Sequence, residues 1–254
     1  MSLHIESQGS GKPLLLIHGW GMHGGMWGQV AVQLAQSYRV HCVDLPGHGG
    51  SAACTPYELD ILVRQLSTLF DEPLTVMGWS LGGQVAMRWA KLYSTQIKKL
   101  VLVATTPCFV QQDGWRCAMA ADTLREFATS LLQNHALTLK RFLALQLRGS
   151  ENERELLLDL RARLYANGEP DIVALQGGLE ILRDTDMRSE LAQITQPTLV
   201  IAGERDTLTP PAAAEYLAQT LPNARLEKIQ GAAHAPFLSH PQIFMQHLTS
   251  FLNE

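Results

Sequence analysis

The sequence predicts an α/β fold in which helices cover both faces of a doubly wound, mostly parallel sheet. Five short runs rich in Val, Ile and Leu recur along the chain, and helical patterns separate most of them. A continuous apolar run of this length is typical of a strand buried on both faces, as in a parallel sheet. Regular alternation of such strands with helices indicates βαβ units. The runs are residues 14–17, 40–43, 74–77, 100–103 and 198–202.

Helical periodicity accounts for much of the remaining chain. Residues 26–36, 58–70 and 81–92 repeat apolar side chains at helical spacing between the first four strands. Near the end of the chain, residues 225–229 have the character of a further strand, and a helical pattern follows them. These elements have the order expected of one doubly wound sheet.

The alternation stops between about residues 107 and 194. This stretch contains helical patterns and no convincing strand, and turn-forming Asn, Gly and Pro residues separate the patterns. Strand character returns at residue 197, so the stretch interrupts one sheet. We therefore predict a single domain over residues 1–254 with a helical cap inserted at about 107–194. The predicted cap helices are residues 113–133, 137–147, 151–165 and 171–182.

Composition excludes several classes of protein. Hydrophobic residues make up 46% of the 254 residues and charged residues 17%, which is typical of a globular chain. The net charge of -4 provides no general attraction to nucleic acid or to an anionic membrane. No apolar run approaches the roughly 20 residues of a membrane span, and the first residues lack a secretory signal pattern. We expect a cytoplasmic protein.

The cysteines suggest neither a disulfide framework nor a zinc site. They are widely spaced, and none belongs to a C-x-x-C motif or to a Cys/His cluster. We expect no bound metal and no cofactor. The four positions are Cys42, Cys54, Cys108 and Cys117.

The strongest local signal is Gly78-Trp79-Ser80-Leu81-Gly82, which lies between a predicted strand and a predicted helix. Glycines two residues before and after the serine allow a sharp turn that exposes the hydroxyl at the edge of the sheet. The alternative is a glycine-rich turn that only packs the helix against the sheet. The strand-before, helix-after context favours a nucleophile at Ser80.

A serine hydroxyl needs an imidazole to accept its proton, and a carboxylate to orient the imidazole. His234 lies in a loop of small residues after the strand at 225–229, and Asp206 follows the strand at 198–202. Both therefore belong to the carboxyl edge of the sheet, where catalytic groups gather. Glu204 lies in the same loop and is the alternative acid. We predict Ser80, Asp206 and His234 as the catalytic residues.

The segment His18-Gly19-Trp20-Gly21 follows the first buried strand. Acyl transfer builds negative charge on the carbonyl oxygen, and two fixed backbone N–H groups lower that barrier by several kcal/mol. We expect the N–H groups of Trp20 and Leu81 to form this oxyanion hole. His18 is expected to brace the loop.

With these motifs in place, the sequence resembles the α/β-hydrolase superfamily over nearly its whole length. More narrowly, it resembles the pimeloyl-[acyl-carrier-protein] methyl ester carboxylesterases of biotin synthesis. The narrower likeness is carried by the motifs around residues 16–21, 78–83, 141–146, 176–182 and 233–241. The two motifs in the cap are the most discriminating.

This resemblance implies hydrolysis of the methyl ester of a pimeloyl chain carried by acyl carrier protein, with release of methanol. It also implies which residues contact the substrate. These are Trp20, Ser80, Leu81, Phe142, Leu143, Ala144, Leu145, Gln146 and His234. An apolar channel would suit a seven-carbon chain, and we expect its lining to include Trp20, Met22, Trp79, Phe127, Phe142 and Leu145.

An acyl carrier protein is acidic, so its docking requires exposed cations beside the channel. Among the cap cations, we predict Arg141 and Arg154 as docking residues. Leu137 and Leu158 stand where the resemblance would place arginines.

Two other interpretations remain open from the sequence. The first is another enzyme on the same scaffold: a broad carboxylesterase, a lipase or a C–C bond hydrolase. The second is a non-catalytic ligand-binding protein on a hydrolase fold. We expect a monomer, with no nucleic-acid partner and no membrane partner.

Overall fold

The computed structural model describes residues 3–148, 150, 153–166 and 168–254. Its centre is a seven-stranded sheet in the order β1-β3-β2-β4-β5-β6-β7. β1 pairs antiparallel with β3, and every other neighbouring pair is parallel. The predicted α/β fold with a mostly parallel sheet is confirmed. The strands are β1 Ile5–Gln8, β2 Pro13–Ile17, β3 Arg39–Val43, β4 Leu74–Trp79, β5 Ile97–Val103, β6 Thr198–Gly203 and β7 Ala224–Ile229.

Helices pack on both faces of this sheet. The period of two along a strand divides the buried side chains of β2 between two cores, because Leu15 and Ile17 join one cluster while Leu14 and Leu16 join the other. The helices outside the segment between β5 and β6 are α1 Gly28–Leu34, α2 Leu59–Ser67, α3 Leu81–Leu92, α8 Pro211–Thr220, α9 Pro236–Ser239 and α10 Pro241–Leu252.

Helices also occupy the segment between β5 and β6, where the sequence analysis expects a cap. They are α4 Ala121–Gln133, α5 His135–Leu147, α6 Glu153–Ala166 and α7 Ile172–Asp184. Within the described residues, none of the helices is long and apolar enough to cross a bilayer.

The predicted start of the first cap helix at residue 113 is wrong. Residues 110–119 form short bridges instead, between Val110 and Met119 and between Gln112 and Trp115. The buried Trp115 indole donates a hydrogen bond to the carbonyl oxygen of Cys108, which holds this segment folded back on itself. The helix begins at Ala121. Glu151, the predicted start of the third cap helix, and the predicted turn residues Gly149 and Asn167 lie outside the described residues.

Candidate active site

The loops that carry the predicted site residues meet at the carboxyl edge of the sheet. The loop at residues 18–21 follows β2, Ser80 follows β4, Asp206 follows β6 and His234 follows β7. Because these strands are parallel, their carboxyl ends lie at the same edge. The topology therefore brings together residues that are up to 216 positions apart in the sequence.

Ser80 occupies a strained turn between β4 and α3. Its φ of 55° and ψ of -116° are disfavoured for a residue with a Cβ. Its N–H donates to the carbonyl oxygen of Val103 at 2.9 Å, which fixes the turn to the neighbouring strand. A Cβ on Gly82 would overlap the carbonyl oxygens of Ile17 and His18, so only glycine allows the helix to start here. The predicted elbow is therefore formed by close backbone packing.

His234 and Asp206 form a buried pair. The Nδ1 of His234 lies 2.7 Å from Oδ2 of Asp206, and the two side chains are 1% and 0% exposed. The carboxylate also accepts the backbone N–H groups of Leu208 and Thr209 on Oδ1, at 2.8 and 3.0 Å. Glu204 is exposed and accepts the N–H of Gly231 at 3.1 Å. Of the two candidate acids, Asp206 contacts the imidazole.

The backbone of His234 is held on both sides. Its N–H donates to the carbonyl oxygen of Gln146 in α5 at 3.1 Å. Its carbonyl oxygen accepts the indole N–H of Trp79 at 2.9 Å, and Trp79 immediately precedes Ser80. The ring atom Nε2 is buried, and within the described chain no hydrogen-bond partner engages it, Ser80 included. With Nδ1–H directed at Asp206, Nε2 is the ring atom left to accept a proton.

The loop after β2 lies directly against Ser80. A Cβ on Gly19 would be 3.3 Å from the Cβ of Ser80, so the backbone that leads into Trp20 passes beside the hydroxyl-bearing side chain. Leu81 is the first residue of α3. Its N–H therefore has no acceptor within that helix, as the predicted oxyanion hole requires.

His18 braces this loop, as expected. Its Nε2 accepts the N–H of Leu45 at 2.9 Å, which leaves Nδ1 to donate to the carbonyl oxygen of Gly19 at 2.8 Å. Burial, reinforced by repulsion from neighbouring His48, lowers the pKa of His18 to about 3. Burial likewise lowers the pKa of His48 to about 4. Both rings are therefore neutral near pH 7 and act as fixed hydrogen-bonding groups.

An apolar cavity of ≈ 60 Å³ lies between the sheet and the cap helices. Trp20 forms one wall, and its ring meets those of Phe142 and Phe127 edge-on at centroid distances of 4.8 and 5.4 Å. The Trp20 indole N–H donates to the carbonyl oxygen of Leu175 at 2.8 Å, which fixes the ring. The lining residues are Trp20, Phe109, Met119, Thr123, Leu124, Phe127, Phe142, Leu145, Leu179, Leu182 and Leu208.

Some predicted substrate contacts lie elsewhere. Met22, Trp79 and Leu143 are buried in the second of the two cores and are not among the residues that line this cavity. Gln146 is 1% exposed, and its carbonyl oxygen engages His234. Ala144 is half-buried on the same helix. The cause is helical geometry, because consecutive residues of α5 point about 100° apart and cannot all face one cavity.

The sequence reasoning missed most of the cavity lining and also Thr209. Apart from Thr123, the lining residues that were not predicted are ordinary apolar positions, and nothing in a single sequence separates them from core residues. Thr209 had a usable signal. A Thr three residues after the candidate acid, as in Asp206-Thr207-Leu208-Thr209, is typical of a loop whose hydroxyl and N–H groups return to the carboxylate.

The predicted docking residues are exposed on adjacent helices. Arg141 lies on α5 and Arg154 on α6. Leu137 is 44% exposed one turn before Arg141, and Leu158 is 61% exposed one turn after Arg154. Each arginine therefore has an exposed leucine one turn away on its own helix. Within the part of the chain that the structure describes, no group of three or more His, Cys, Asp or Glu residues is placed to hold a metal ion.

Comparison with known proteins adds independent information. Residues 12–241 match a family described as having the alpha/beta hydrolase fold. The chain is 44% identical over 244 residues to the pimeloyl-[acyl-carrier protein] methyl ester esterase of Nitrosomonas europaea, which covers 96% of this chain and 97% of that protein. It is 41% identical over 252 residues to the protein of the same name from Chromobacterium violaceum, which covers 99% and 98% of the two chains.

Solved structures share this architecture. An esterase from Exiguobacterium antarcticum superposes with a TM-score of 0.92 at 26% identity, covering 99% of this chain and 96% of that one. A hydrolase from Pseudomonas aeruginosa PA01 superposes with a TM-score of 0.87 at 30% identity, covering 99% and 94%.

Proposed function

The chain belongs to the α/β-hydrolase family, and we propose that it is a serine esterase that hydrolyses the methyl ester of pimeloyl-[acyl-carrier protein] in biotin biosynthesis. The observation that carries the chemistry is the buried 2.7 Å contact between His234 and Asp206. The same histidine is bonded through its backbone carbonyl to Trp79, the neighbour of Ser80. The relatives that carry this name, at 44% and 41% identity over nearly the whole chain, support the substrate.

In the proposed first half-reaction, Ser80 Oγ attacks the methyl ester carbonyl carbon while Nε2 of His234 accepts the hydroxyl proton. Asp206 stabilises the imidazolium that forms, through the 2.7 Å contact at Nδ1. The N–H groups of Trp20 and Leu81 bind the oxyanion. When the C–O bond of the ester breaks, the methoxide oxygen takes the proton from Nε2 and leaves as methanol. The acyl chain remains bound to Ser80.

In the second half-reaction, water replaces methanol. Nε2 of His234 accepts a proton from the water as its oxygen attacks the acyl carbonyl. As the tetrahedral intermediate collapses and its bond to Ser80 Oγ breaks, Nε2 of His234 gives that proton to the serine oxygen. The products are a free carboxylate on the carrier-bound chain and the regenerated hydroxyl, so the cycle consumes one water and needs no redox partner.

The lining of the cavity matches the methylene chain of this substrate in polarity. Its lining is apolar apart from Thr123, and burial of a methylene group in such a lining contributes about 0.8 kcal/mol. We propose that Trp20, Phe142 and Leu145 contact the acyl chain. Because Leu208 lines the cavity while its N–H binds Asp206, the acyl site and the acid share one loop.

We propose that the carrier docks on the surface formed by α5 and α6, with Arg141 and Arg154 facing its acidic side chains. Leu137 and Leu158 supply apolar contact area beside these arginines.

We also propose that the enzyme acts as a monomer in the cytoplasm. Every proposed catalytic group comes from one chain, and all four cysteines are free thiols, as is usual in a reducing compartment. Light scattering on the purified protein and fractionation of the source cells test these two points.

The decisive experiment compares turnover of the carrier-bound pimeloyl methyl ester with turnover of p-nitrophenyl butyrate. We expect kcat/KM for the carrier substrate to exceed that for the short ester by at least about tenfold. Ser80→Ala abolishes both activities, whereas Ser94→Ala, a change of an exposed serine at the opposite edge of the sheet, leaves both unchanged.

Two results would contradict the proposal in different ways. Equal or lower efficiency on the carrier substrate would assign the protein as a broad esterase or a hydrolase of other bonds. Failure of a fluorophosphonate to label Ser80 in the native protein, together with no turnover of either ester, would assign it as a non-catalytic binding protein.

A further inference from the structure

The hydroxyl of Thr209 lies beside the hydrogen bond between Asp206 and His234. Thr209 follows Asp206 by three residues in the loop between β6 and α8, and it is 3% exposed. Its hydroxyl oxygen is 2.8 Å from Oδ2 of Asp206 and 3.3 Å from Nδ1 of His234. The oxygen of Thr209 is thus within reach of both atoms that form the Asp206–His234 hydrogen bond.

The protons in this group can be assigned from its chemistry. Nε2 of His234 must be unprotonated to accept the serine proton, so the neutral ring carries its hydrogen on Nδ1. Nδ1–H is then a donor, and the hydroxyl hydrogen of Thr209 cannot be directed at it. The hydroxyl therefore donates to Oδ2 of Asp206. Oδ2 accepts from the imidazole and the hydroxyl, while Oδ1 accepts two backbone N–H groups.

We propose that Thr209 is a positioning residue that acts through Asp206, keeping the carboxylate aligned with His234 and limiting how strongly it attracts the imidazole proton. This inference rests on the proposed function. Four donors occupy the four lone-pair sites of this carboxylate, so every polar site of a side chain that is 0% exposed has a partner. A donor on Oδ2 also withdraws charge from the oxygen that faces Nδ1, because two donors share it.

Because the hydroxyl and the imidazole share Oδ2, the direction in which loss of the hydroxyl changes the pH dependence of kcat/KM can be derived. Without the hydroxyl, Oδ2 has only the imidazole as partner and stabilises the protonated ring more strongly. A stronger pairing with a carboxylate raises the pKa of a histidine. kcat/KM requires the neutral ring, so its acid limb moves to higher pH. The lost alignment of Oδ2 lowers kcat/KM at the pH optimum as well.

The test replaces the hydroxyl without changing the shape of the side chain. Thr209→Val keeps the β-branched outline, and Thr209→Ser keeps the hydroxyl. We expect Thr209→Val to lower kcat/KM for p-nitrophenyl butyrate roughly tenfold, as for loss of a hydrogen bond to a charged group. We also expect the midpoint of the acid limb to rise by at least about 0.3 in pH. Thr209→Ser restores the wild-type midpoint.

Thr207→Val is the matched control, because it makes the same change in the same loop at an exposed side chain. It leaves both the rate and the pH profile unchanged. If Thr209→Val does not fold, Thr209→Ala removes the same hydroxyl with less bulk, and a thermal melt identifies the folded variants.

The outcomes separate this inference from the proposed function. An inactive wild-type protein overturns the proposed function. An active wild type with an unshifted acid limb in the folded Val or Ala variant overturns the role of Thr209, and so does failure of Ser to restore the midpoint. A shift that Ser reverses supports the role.

Discussion

The indole N–H of Trp79 donates to the backbone carbonyl of His234 at 2.9 Å, so the residue beside the candidate nucleophile directly holds the candidate base. The two residues are 155 positions apart in the sequence. The Trp79 ring also meets Phe237 edge-on at a centroid distance of 5.0 Å, and Trp79 is buried, so packing and the hydrogen bond act together on the orientation of the indole. This contact ties the loop after β7 to the turn after β4, and it thereby fixes the place of the imidazole relative to Ser80.

Replacement of this tryptophan tests the connection. Trp79→Phe keeps an aromatic ring and removes the N–H donor, so the loop after β7 loses a bond worth about 1 kcal/mol. We expect kcat for p-nitrophenyl butyrate to fall about five- to tenfold while KM changes less than about twofold. Trp89→Phe is the control, since the Trp89 indole N–H donates to the side-chain oxygen of Gln96 near the end of α3, away from the site. A wild-type kcat in Trp79→Phe would contradict this positioning role.

The backbone strain at Ser80 gives a prediction about stability. A residue with a Cβ at φ 55°, ψ -116° costs roughly 1–3 kcal/mol, whereas glycine adopts this conformation freely. Ser80→Gly is therefore expected to be more stable than Ser80→Ala by about 1 kcal/mol in urea denaturation, and both are inactive. At Ser130, within α4, the order reverses, because glycine destabilises a helix relative to alanine. If the alanine variant is more stable than the glycine variant at position 80, as it is expected to be at position 130, then the backbone at Ser80 is not strained.

The buried histidines predict how stability depends on pH. The pKa values of His18 and His48, lowered to about 3 and about 4, lie below the value of 6.5 expected after unfolding. Between those values the unfolded chain binds about two more protons than the folded chain, so stability falls as pH falls. We expect the steepest loss near pH 5, at roughly 3 kcal/mol per pH unit for two protons. Urea denaturation between pH 4 and 7 measures this slope.

A variant separates the two rings. His48→Gln removes one of the buried titrating groups, so the slope falls to that of about one proton. His135→Gln, a change of an exposed histidine on α5, leaves the slope unaltered. Equal slopes in the wild type and in His48→Gln would mean that His48 does not account for the pH dependence.

The proposed docking surface is tested by charge reversal. Arg141→Glu and Arg154→Glu each place a carboxylate opposite an acidic carrier, so we expect KM for the carrier substrate to rise about five- to tenfold. kcat/KM for p-nitrophenyl butyrate does not change, because this ester makes no contact with the carrier surface. Lys98→Glu is the matched reversal of an exposed cation at the start of β5, at the edge of the sheet away from the site. Unchanged KM in both arginine variants would place the docking surface elsewhere.

Much of the fold was predictable because its strands are continuous apolar runs. β1 was missed, and its sequence explains why. Ile5–Gln8 has one apolar residue in four, and its pairing with β3 along one edge leaves it half exposed. Such an edge strand is specified by its partner and not by its own hydrophobicity. The short bridges at residues 110–119 were missed for the same reason, since they depend on contacts of the buried Trp115.

The sequence predicts which loops carry the residues of the site. It does not predict which side chains of the cap helices face the cavity. Strand order and the turn around Ser80 bring Asp206 and His234 to one edge whatever the detailed packing. Which side chains point into the cavity depends on the rotation of α5, and that rotation is set by tertiary contacts. Phe142 and Leu145 therefore line the cavity, while Leu143 between them packs into the core.

The bond from the His234 N–H to the Gln146 carbonyl limits how this enzyme can change during evolution or engineering. The acceptor is a main-chain atom, so substitution of the Gln146 side chain leaves it in place. Insertion or deletion of one residue within α5 before Gln146 would turn the end of that helix by about 100° and carry the acceptor away from the imidazole loop. A chimaera that borrows this segment from a relative must therefore preserve its length up to Gln146, while its composition is free to diverge.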